Sequence, residues 1–200
     1  MLFRSISKLL PKYLARKALH MGSGTLCIIA YNKGYKMLII VVGIIALVGI
    51  LSKKVTLPTM KDYALRKEKR KSDLGMANFC FSTVFFTAME IPLNHISPLY
   101  YADPMGAIVG RNIKTWKVPG AGNKSVGGAL AVILTAYANL IYCTDCTEAD
   151  AAITAIFIGL VELYSGEWDN VCISGGLALR YLVFHADDGY LWSKVEFVMS

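Results

Sequence analysis

The stretch at residues 37–51, MLIIVVGIIALVGIL, has no charged side chain and would be apolar on every face of a helix. A helix on the surface of a soluble domain keeps one face polar, which this stretch cannot do. Crossing a bilayer takes about 20 residues, with about 17 as the lower limit. The run reaches that length when Tyr35, Lys36 and Ser52 extend it into the membrane interface. It therefore predicts a membrane-spanning helix.

Six further apolar stretches, several of them short for a span, lie at residues 18–31, 75–91, 97–110, 127–143, 149–165 and 171–185. The alternative is a soluble helical protein. Because 55% of the 200 residues are hydrophobic and 18% are charged, such a protein would have too little polar surface to cover these stretches. We predict an all-α, polytopic integral membrane protein with about six or seven transmembrane helices. The length allows one membrane domain, at 18–185, and a C-terminal tail at 186–200.

The basic residues are concentrated in three segments. Residues 1–17 contain five Lys and Arg, residues 52–74 contain eight and residues 111–125 contain four, which is most of the 21 in the chain. A seven-span topology places all three segments on one side of the membrane. The positive-inside rule identifies that side as the cytoplasm, and the acidic loop CTDCTEAD at 143–150 falls on the other side.

The N-terminal segment 1–17 has an amphipathic pattern. Arg4, Lys8, Lys12 and Arg16 recur every four residues, with apolar residues largely opposite them. This pattern predicts a basic helix that lies in the membrane interface. The alternative is an organelle-targeting peptide, which has a similar composition.

Ionisable residues inside apolar spans are costly and therefore indicate function. His20, Asp103 and Glu162 are of this kind, and Asp169 and Asn170 lie in the short loop GEWDN after Glu162. In the seven-span topology all five can converge on one cytoplasmic mouth. Glu90 and Arg180 fall elsewhere, and we expect them to be structural partners.

A basic, glycine-containing loop follows Asp103. Arg111 and Lys124 flank it, and Gly120 and Gly122 allow backbone amides to approach an anion. Carboxylates beside such a loop are what Mg²⁺ and a polyphosphate together require. The stretch VPGAGNKS is not a Walker P-loop, because both of that motif's glycines are replaced. The pattern predicts phosphoryl or nucleotidyl transfer to a lipid.

Two further features concern the same span. Gly106 and Gly110 form a GxxxG motif, which predicts close helix packing. Pro104 predicts a kink or a break in the helix next to Asp103.

Four blocks in order resemble the CTP-dependent lipid-alcohol kinases, which include phytol, farnesol and dolichol kinases and the yeast-type diacylglycerol kinase. RKALHMGSG at 16–24 resembles the family's RKxxHxGxG, and ADPMGAIVGR at 102–111 resembles [GA]DPxAxxxGR. NKSVGGAL at 123–130 resembles NKSxxGSLA, and Glu162 with Asp169-Asn170 resembles E…DN. The resemblance covers residues 16 to about 184. The chain departs from it in DNVCISGG, which lacks the family's proline, and in the less typical stretch NIKTWKVPGAG.

The resemblance implies an enzyme that transfers the γ-phosphate of CTP, or of UTP, to a lipid hydroxyl with Mg²⁺ or another divalent cation. It implies that Asp103 is a metal ligand or general base, and that the catalytic set is Asp103, Glu162 and Asp169. The implied nucleotide- and phosphate-binding set is Arg16, His20, Arg111, Asn123, Lys124 and Ser125. The implied metal-binding set is Asp103, Glu162, Asp169 and Asn170.

Several alternatives stay open. The acceptor is expected to be phytol or another prenol or polyprenol, and a CTP-dependent diacylglycerol kinase is the alternative within the family. A phosphatidate cytidylyltransferase would use CTP but transfer the nucleotide. The non-enzyme alternatives are a transporter and a lipid-binding membrane scaffold. The expected partners are CTP, the lipid alcohol and membrane lipids, without nucleic acid; the expected location is the endoplasmic reticulum or plastid membrane, with the site facing cytoplasm or stroma.

Overall fold

The computed structural model describes residues 11–52 and 74–184, and in these ranges the regular structure is helical. Seven α-helices follow one another: α1 Lys12–Asn32, α2 Lys36–Leu51, α3 Leu74–Ala88, α4 Ser97–Asn112, α5 Val126–Cys143, α6 Glu148–Tyr164 and α7 Asp169–Phe184. Short 3-10 turns precede α4 and α7, at Leu93–Ile96 and Gly166–Trp168. The strand-like pairing of the described residues is one isolated bridge, between Lys117 and Ser125. The predicted all-α class is confirmed.

The helices begin and end within a few residues of most predicted spans. The exception is α1, which starts at Lys12 and runs without a break through the predicted boundary at 17/18. Residues 1–10 of the predicted amphipathic segment, residues 53–73 of the basic loop and the predicted tail (186–200) lie outside the described residues. Pro104 lies inside α4, which continues to Asn112, so of the predicted kink or break the structure excludes the break.

Side-chain caps explain where two of the helices start. The Ser125 hydroxyl accepts a hydrogen bond from the N–H of Gly128 at the start of α5, and the Thr147 hydroxyl accepts one from Asp150 at the start of α6. Such caps satisfy N–H groups that have no partner within the helix. They fix the length of the loops that join α4 to α5 and α5 to α6.

Consecutive helices from α4 to α7 pack antiparallel around a core of fully buried side chains, among them Leu99, Tyr100, Leu140, Ile158 and Leu177. The contacts pair residues from opposite halves of neighbouring helices, as Gly106 with Val132 and Phe157 with Gly176 do. At one end of the bundle therefore lie the C-termini of α4 and α6 and the N-termini of α5 and α7. We call it the cluster end.

Helices α4 and α5 approach each other most closely where glycines meet. A Cβ atom on Gly128 would lie 3.1 Å from the carbonyl oxygen of Gly106 and 3.2 Å from the Cα of Gly110. The prediction that Gly106 and Gly110 form a helix-packing motif is confirmed.

One helix of the described residues, Val126–Cys143, is both long and apolar enough to cross a membrane. Helix α2 and residues Gly75–Ala88 of α3 are apolar but shorter. The seven-span topology therefore stays a prediction.

The glycine contact between α4 and α5 can be tested by filling it. We expect Gly128→Val to destabilise the purified protein by about 1–3 kcal/mol, because the new side chain has to push the two backbones apart. Thermal unfolding in detergent measures the change. Gly22→Val is the control, since a Cβ at this helical glycine meets nothing within 4 Å. Equal melting temperatures for the two variants would contradict the packing argument.

Candidate functional site

Three acidic side chains that are distant in sequence meet at the cluster end: Asp103 of α4, Glu162 of α6 and Asp169 at the start of α7. We call them the carboxylate cluster. Electrostatic interactions connect Glu162 with both Asp103 and Asp169. The structure thus brings together the three residues that the sequence assigned to catalysis.

Asp103 is held by residues of α1. Its Oδ2 lies 2.7 Å from the Nζ of Lys17, and both side chains are largely buried. His20 lies one turn further along α1, where its Nε2 is 3.2 Å from the carbonyl oxygen of Leu99 and its ring packs edge-on against Phe79. His20 also interacts electrostatically with Asp103. Lys17 of the first motif therefore contacts the acid of the second, and His20 contributes an electrostatic interaction.

Lys17 was not among the residues predicted for the site, although it lies within the RKALHMGSG block. The signal was present, because residues three apart lie on the same face of a helix and Lys17 precedes His20 by three. A lysine at the edge of an apolar helix reads equally well as an interfacial anchor, so the sequence did not distinguish the two roles.

Lys124 connects the other two carboxylates. Its Nζ forms a hydrogen-bonded ion pair with Oε1 of Glu162 and lies 4.0 Å from Oδ2 of Asp169, beyond hydrogen-bonding distance. Lys124 also interacts with Asp103 across the cluster. Three acids thus face two lysines, Lys17 and Lys124, and the cluster is left with excess negative charge.

The excess charge affects Asp169, which precedes the predicted span at 171–185. Burial and the negative charge of Asp103 raise the pKa of the Asp169 carboxyl. The backbone N–H of Asn170, 2.7 Å from Oδ1 of Asp169, and the charge of Lys124 oppose this shift. A bound cation at the cluster would relieve the repulsion between the acids.

Two buried oxygen atoms at the cluster end have no hydrogen-bond partner. They are Oε2 of Glu162 and Oδ1 of Asn170, and the only other buried side-chain atom of this kind among the described residues is Oγ of Ser97. Leaving a buried acceptor unsatisfied costs about 1–3 kcal/mol. Both atoms belong to residues that the sequence assigned to a metal, and both are of the type that Mg²⁺ binds.

The loop between α4 and α5 turns tightly before Lys124. Gly120 and Gly122 have φ angles of 75° and 62°, which a residue with a side chain adopts only under strain. Backbone hydrogen bonds from Ala121 to Val118 and from Lys124 to Ala121 close the turns. The space beside both glycines is open, so an anion could approach the backbone there.

The remaining predicted residues lie at or near this loop. The Asn123 carbonyl oxygen accepts a hydrogen bond of 2.6 Å from Nζ of Lys117, and Ser125 is buried as the cap of α5. Both therefore shape the loop. Arg111, two turns beyond Asp103 on α4, is exposed and its guanidinium stacks over the ring of Tyr13 at 4.5 Å. Arg16 is half-buried on α1, next to Lys17.

The metal site stays a prediction. In residues 11–52 and 74–184, no three His, Cys, Asp or Glu side chains form a group that could hold a metal ion. The carboxylates of Asp103 and Glu162 form ion pairs with lysines instead. Mg²⁺ in nucleotide-dependent enzymes commonly takes one or two protein carboxylates and completes its shell with phosphate and water. The unsatisfied oxygens of Glu162 and Asn170 therefore fit a cation that arrives with a nucleotide.

The two other ionisable residues predicted to lie elsewhere do so. Arg180 pairs with Asp150, with Nε 2.9 Å from Oδ2, and its Nη1 lies 3.5 Å from Nδ1 of His95. This group joins the start of α6 to the end of α7, at the opposite end of the bundle. Glu90 lies in the turn after α3, where its carbonyl oxygen accepts a hydrogen bond from Tyr31.

Comparison of the chain with protein-family models, with curated proteins and with solved structures gave no match.

The pairing of Lys17 with Asp103 predicts a stability change. We expect Lys17→Met to lower the free energy of unfolding by about 3 kcal/mol, because it leaves a buried carboxylate without its cation. Adding Asp103→Asn should restore most of the loss, since the amide needs no cation. Thermal unfolding of the single and double variants measures both effects.

Lys33→Met serves as the control, because Lys33 is an exposed lysine at the other end of α1. A Lys17→Met variant as stable as Lys33→Met would contradict a close pair between Lys17 and Asp103.

Proposed function

We propose that this protein is a membrane kinase that transfers the γ-phosphate of CTP, or of UTP, to the hydroxyl of a lipid alcohol. The observation that carries the proposal is the carboxylate cluster, met by Lys17 and Lys124 at one end of an apolar bundle, with unsatisfied oxygens on Glu162 and Asn170. These are groups that a metal–nucleotide complex requires. The resemblance of four sequence blocks to CTP-dependent lipid-alcohol kinases selects the nucleotide and the acceptor class.

The protein is proposed to be polytopic, with its helices embedded in the endoplasmic reticulum or plastid membrane. Support comes from apolar side chains that point away from the bundle. On α2, Met37 and Ile45 are 71% and 65% exposed, and on α5 Leu134 is 66% exposed. Exposed apolar surface of this extent on several helices indicates a hydrocarbon environment. The cluster end carries the basic loop before α5, so it would face the cytoplasm or stroma.

Phosphate binding is assigned to the basic residues around the loop. A bound phosphate oxygen would replace Glu162 as the ion-pair partner of Lys124. The open backbone at Gly120 and Gly122 lies a few residues before Lys124. Arg111, which is exposed at the end of α4, and Arg16, which is half-buried on α1, are assigned to the outer part of the nucleotide. Asn123 and Ser125 hold the loop in shape.

The residues that would hold Mg²⁺ are Glu162 and Asn170, through their unsatisfied oxygens, with Asp103 beside them. When bound, the cation supplies neutralisation of charge on the β- and γ-phosphates. His20 and Lys17 keep Asp103 in place from α1.

The transfer itself is a displacement at phosphorus. The acceptor hydroxyl oxygen forms a bond to the γ-phosphorus, and the bond from that phosphorus to the bridging oxygen breaks. CDP leaves with the electron pair of the broken bond. We assign the hydroxyl proton to the carboxylate of Asp169, because Lys124 lies beyond hydrogen-bonding distance of it.

Transfer of ³²P from γ-labelled CTP tests the proposal. Membranes that contain the protein are incubated with phytol, farnesol, dolichol or diacylglycerol, and with ATP in place of CTP in parallel. We expect label in a lipid alcohol with CTP and not with ATP. Asp103→Asn and Lys124→Met should each lower the rate by about 100-fold, because the first removes a negative charge beside the proposed cation site and the second removes a cation assigned to phosphate binding.

Asp145→Asn is the matched control, because Asp145 is an exposed acid in the loop between α5 and α6. If no acceptor takes up the label, the kinase proposal fails. Label from α-labelled CTP in a phosphatidate-derived lipid, with release of pyrophosphate, would identify a cytidylyltransferase instead. Full activity of Asp103→Asn would remove Asp103 from the catalytic set, whereas a scaffold or a transporter predicts no transfer by the wild-type protein.

Divalent cations provide a separate prediction. We expect chelation by EDTA to abolish transfer and Mg²⁺ to restore it. Glu162→Gln should raise the Mg²⁺ concentration needed for half-maximal rate by about tenfold, because it replaces a charged oxygen ligand with a neutral one. The rate is measured against free Mg²⁺ at fixed CTP. A Glu162→Gln variant with unchanged Mg²⁺ dependence would show that Glu162 is not a ligand of the metal.

A further inference from the structure

An apolar groove of about 240 Å³ separates helices α3 and α7. Its lining is largely aromatic and small; the residues that matter here are Asn78, Phe81, Phe85, Ser174, Gly175 and Ala178. Phe81 and Phe85 stack with ring centroids 6.1 Å apart and are 57% and 40% exposed, so the groove is open along its side. None of these residues belongs to the carboxylate cluster.

The groove starts at the cluster end. Nδ2 of Asn170 lies 3.4 Å from the carbonyl oxygen of Gly75, so the first turns of α7 and α3 meet beside Asp169. About one turn further along α7 and two turns further along α3, Oγ of Ser82 lies 2.7 Å from Oγ of Ser174. The two helices therefore run in parallel away from the cluster. From Val171 to Ala178 the groove extends about 10 Å along α7.

The two serine hydroxyls in the groove are already paired. Ser174 donates its hydroxyl to the carbonyl oxygen of Asn170, and Ser82 is paired with Ser174. Apart from the amide of Asn78, the lining that is left for a ligand consists of apolar side chains and the bare backbone at Gly175, where a Cβ would meet nothing within 4 Å. Such a surface favours a hydrocarbon, and no charged side chain of the described residues lines it.

We propose that this groove holds the hydrocarbon chain of the acceptor alcohol, with its hydroxyl at Asp169 and Asn170. The inference rests on the proposed function, since it assigns a place to that reaction's acceptor. The identity of the occupant follows from the position of the groove. The groove has the candidate transfer site at one end and an apolar, laterally open wall along its length. A molecule with one reactive polar end and a long apolar chain matches both.

The size of the groove selects among acceptors. Its volume lies below the roughly 300–1,000 Å³ of typical ligand pockets, and two helices form its walls. It therefore accommodates one chain. The structure favours a single-chain alcohol of the prenol type over diacylglycerol, which has two acyl chains to place.

The first test narrows the groove. Gly175→Leu places a side chain in the open space, and leucine stabilises a helix better than glycine does. We expect the KM for farnesol to rise about tenfold or more while the KM for CTP stays unchanged. Cys172→Leu is the control, because Cys172 is exposed on the same helix and does not line the groove. Equal farnesol KM values for the two variants would overturn the proposal that the groove binds the acceptor chain.

The second test needs neither CTP nor metal. The wild-type protein in detergent is irradiated with a farnesol analogue that carries a diazirine at the end of its chain, and the labelled peptides are identified by mass spectrometry. We expect label in α3 and α7, reduced by excess farnesol and not by excess diacylglycerol. Label confined to other helices would overturn the proposed acceptor groove even if the protein transfers phosphate. Label in the groove without any phosphate transfer would overturn the kinase proposal and support a lipid-binding site in the groove.

Discussion

Neutralising buried carboxylates is the constraint on which the cluster end depends. Asp103, Glu162 and Asp169 lie together in a bundle with a largely apolar core, and each would repel the others without a cation nearby. Lys17 and Lys124 supply that charge from α1 and from the loop before α5. Both lysines must be in place for the helices to close, so the ion pairs tie the first third of the chain to its second half.

The glycine contact and the ion pairs act together. Gly106, Gly110 and Gly128 let α4 and α5 approach closely, and this approach fixes where the loop between them ends. Lys124 lies at that end, immediately before the Ser125 cap of α5. A small change in the packing of α4 on α5 would therefore move Lys124 relative to Glu162. Helix packing thus sets the geometry of a charged site several residues away.

The proposed acceptor groove extends the same arrangement into the apolar part of the bundle. Asn170 joins the two regions, because its side-chain amide contacts the first turn of α3 while its backbone N–H donates to the Asp169 carboxylate. A lipid whose chain lies between α3 and α7 would present its hydroxyl where the acids converge. Water would be limited at this point, since the walls of the groove are aromatic and its serines are paired with each other.

The sequence by itself determined the helices, their approximate bounds and the identity of the clustered acids. Apolar runs of helical length have few alternatives, and a carboxylate within such a run needs a special environment. Only the tertiary structure decided that Lys17 neutralises Asp103, that α4 continues through Pro104, and that a groove opens between α3 and α7. These features depend on which helix faces which. That choice follows from packing between residues far apart in the chain, such as Asn170 and Gly75 at 95 positions, which the local pattern of a sequence does not encode.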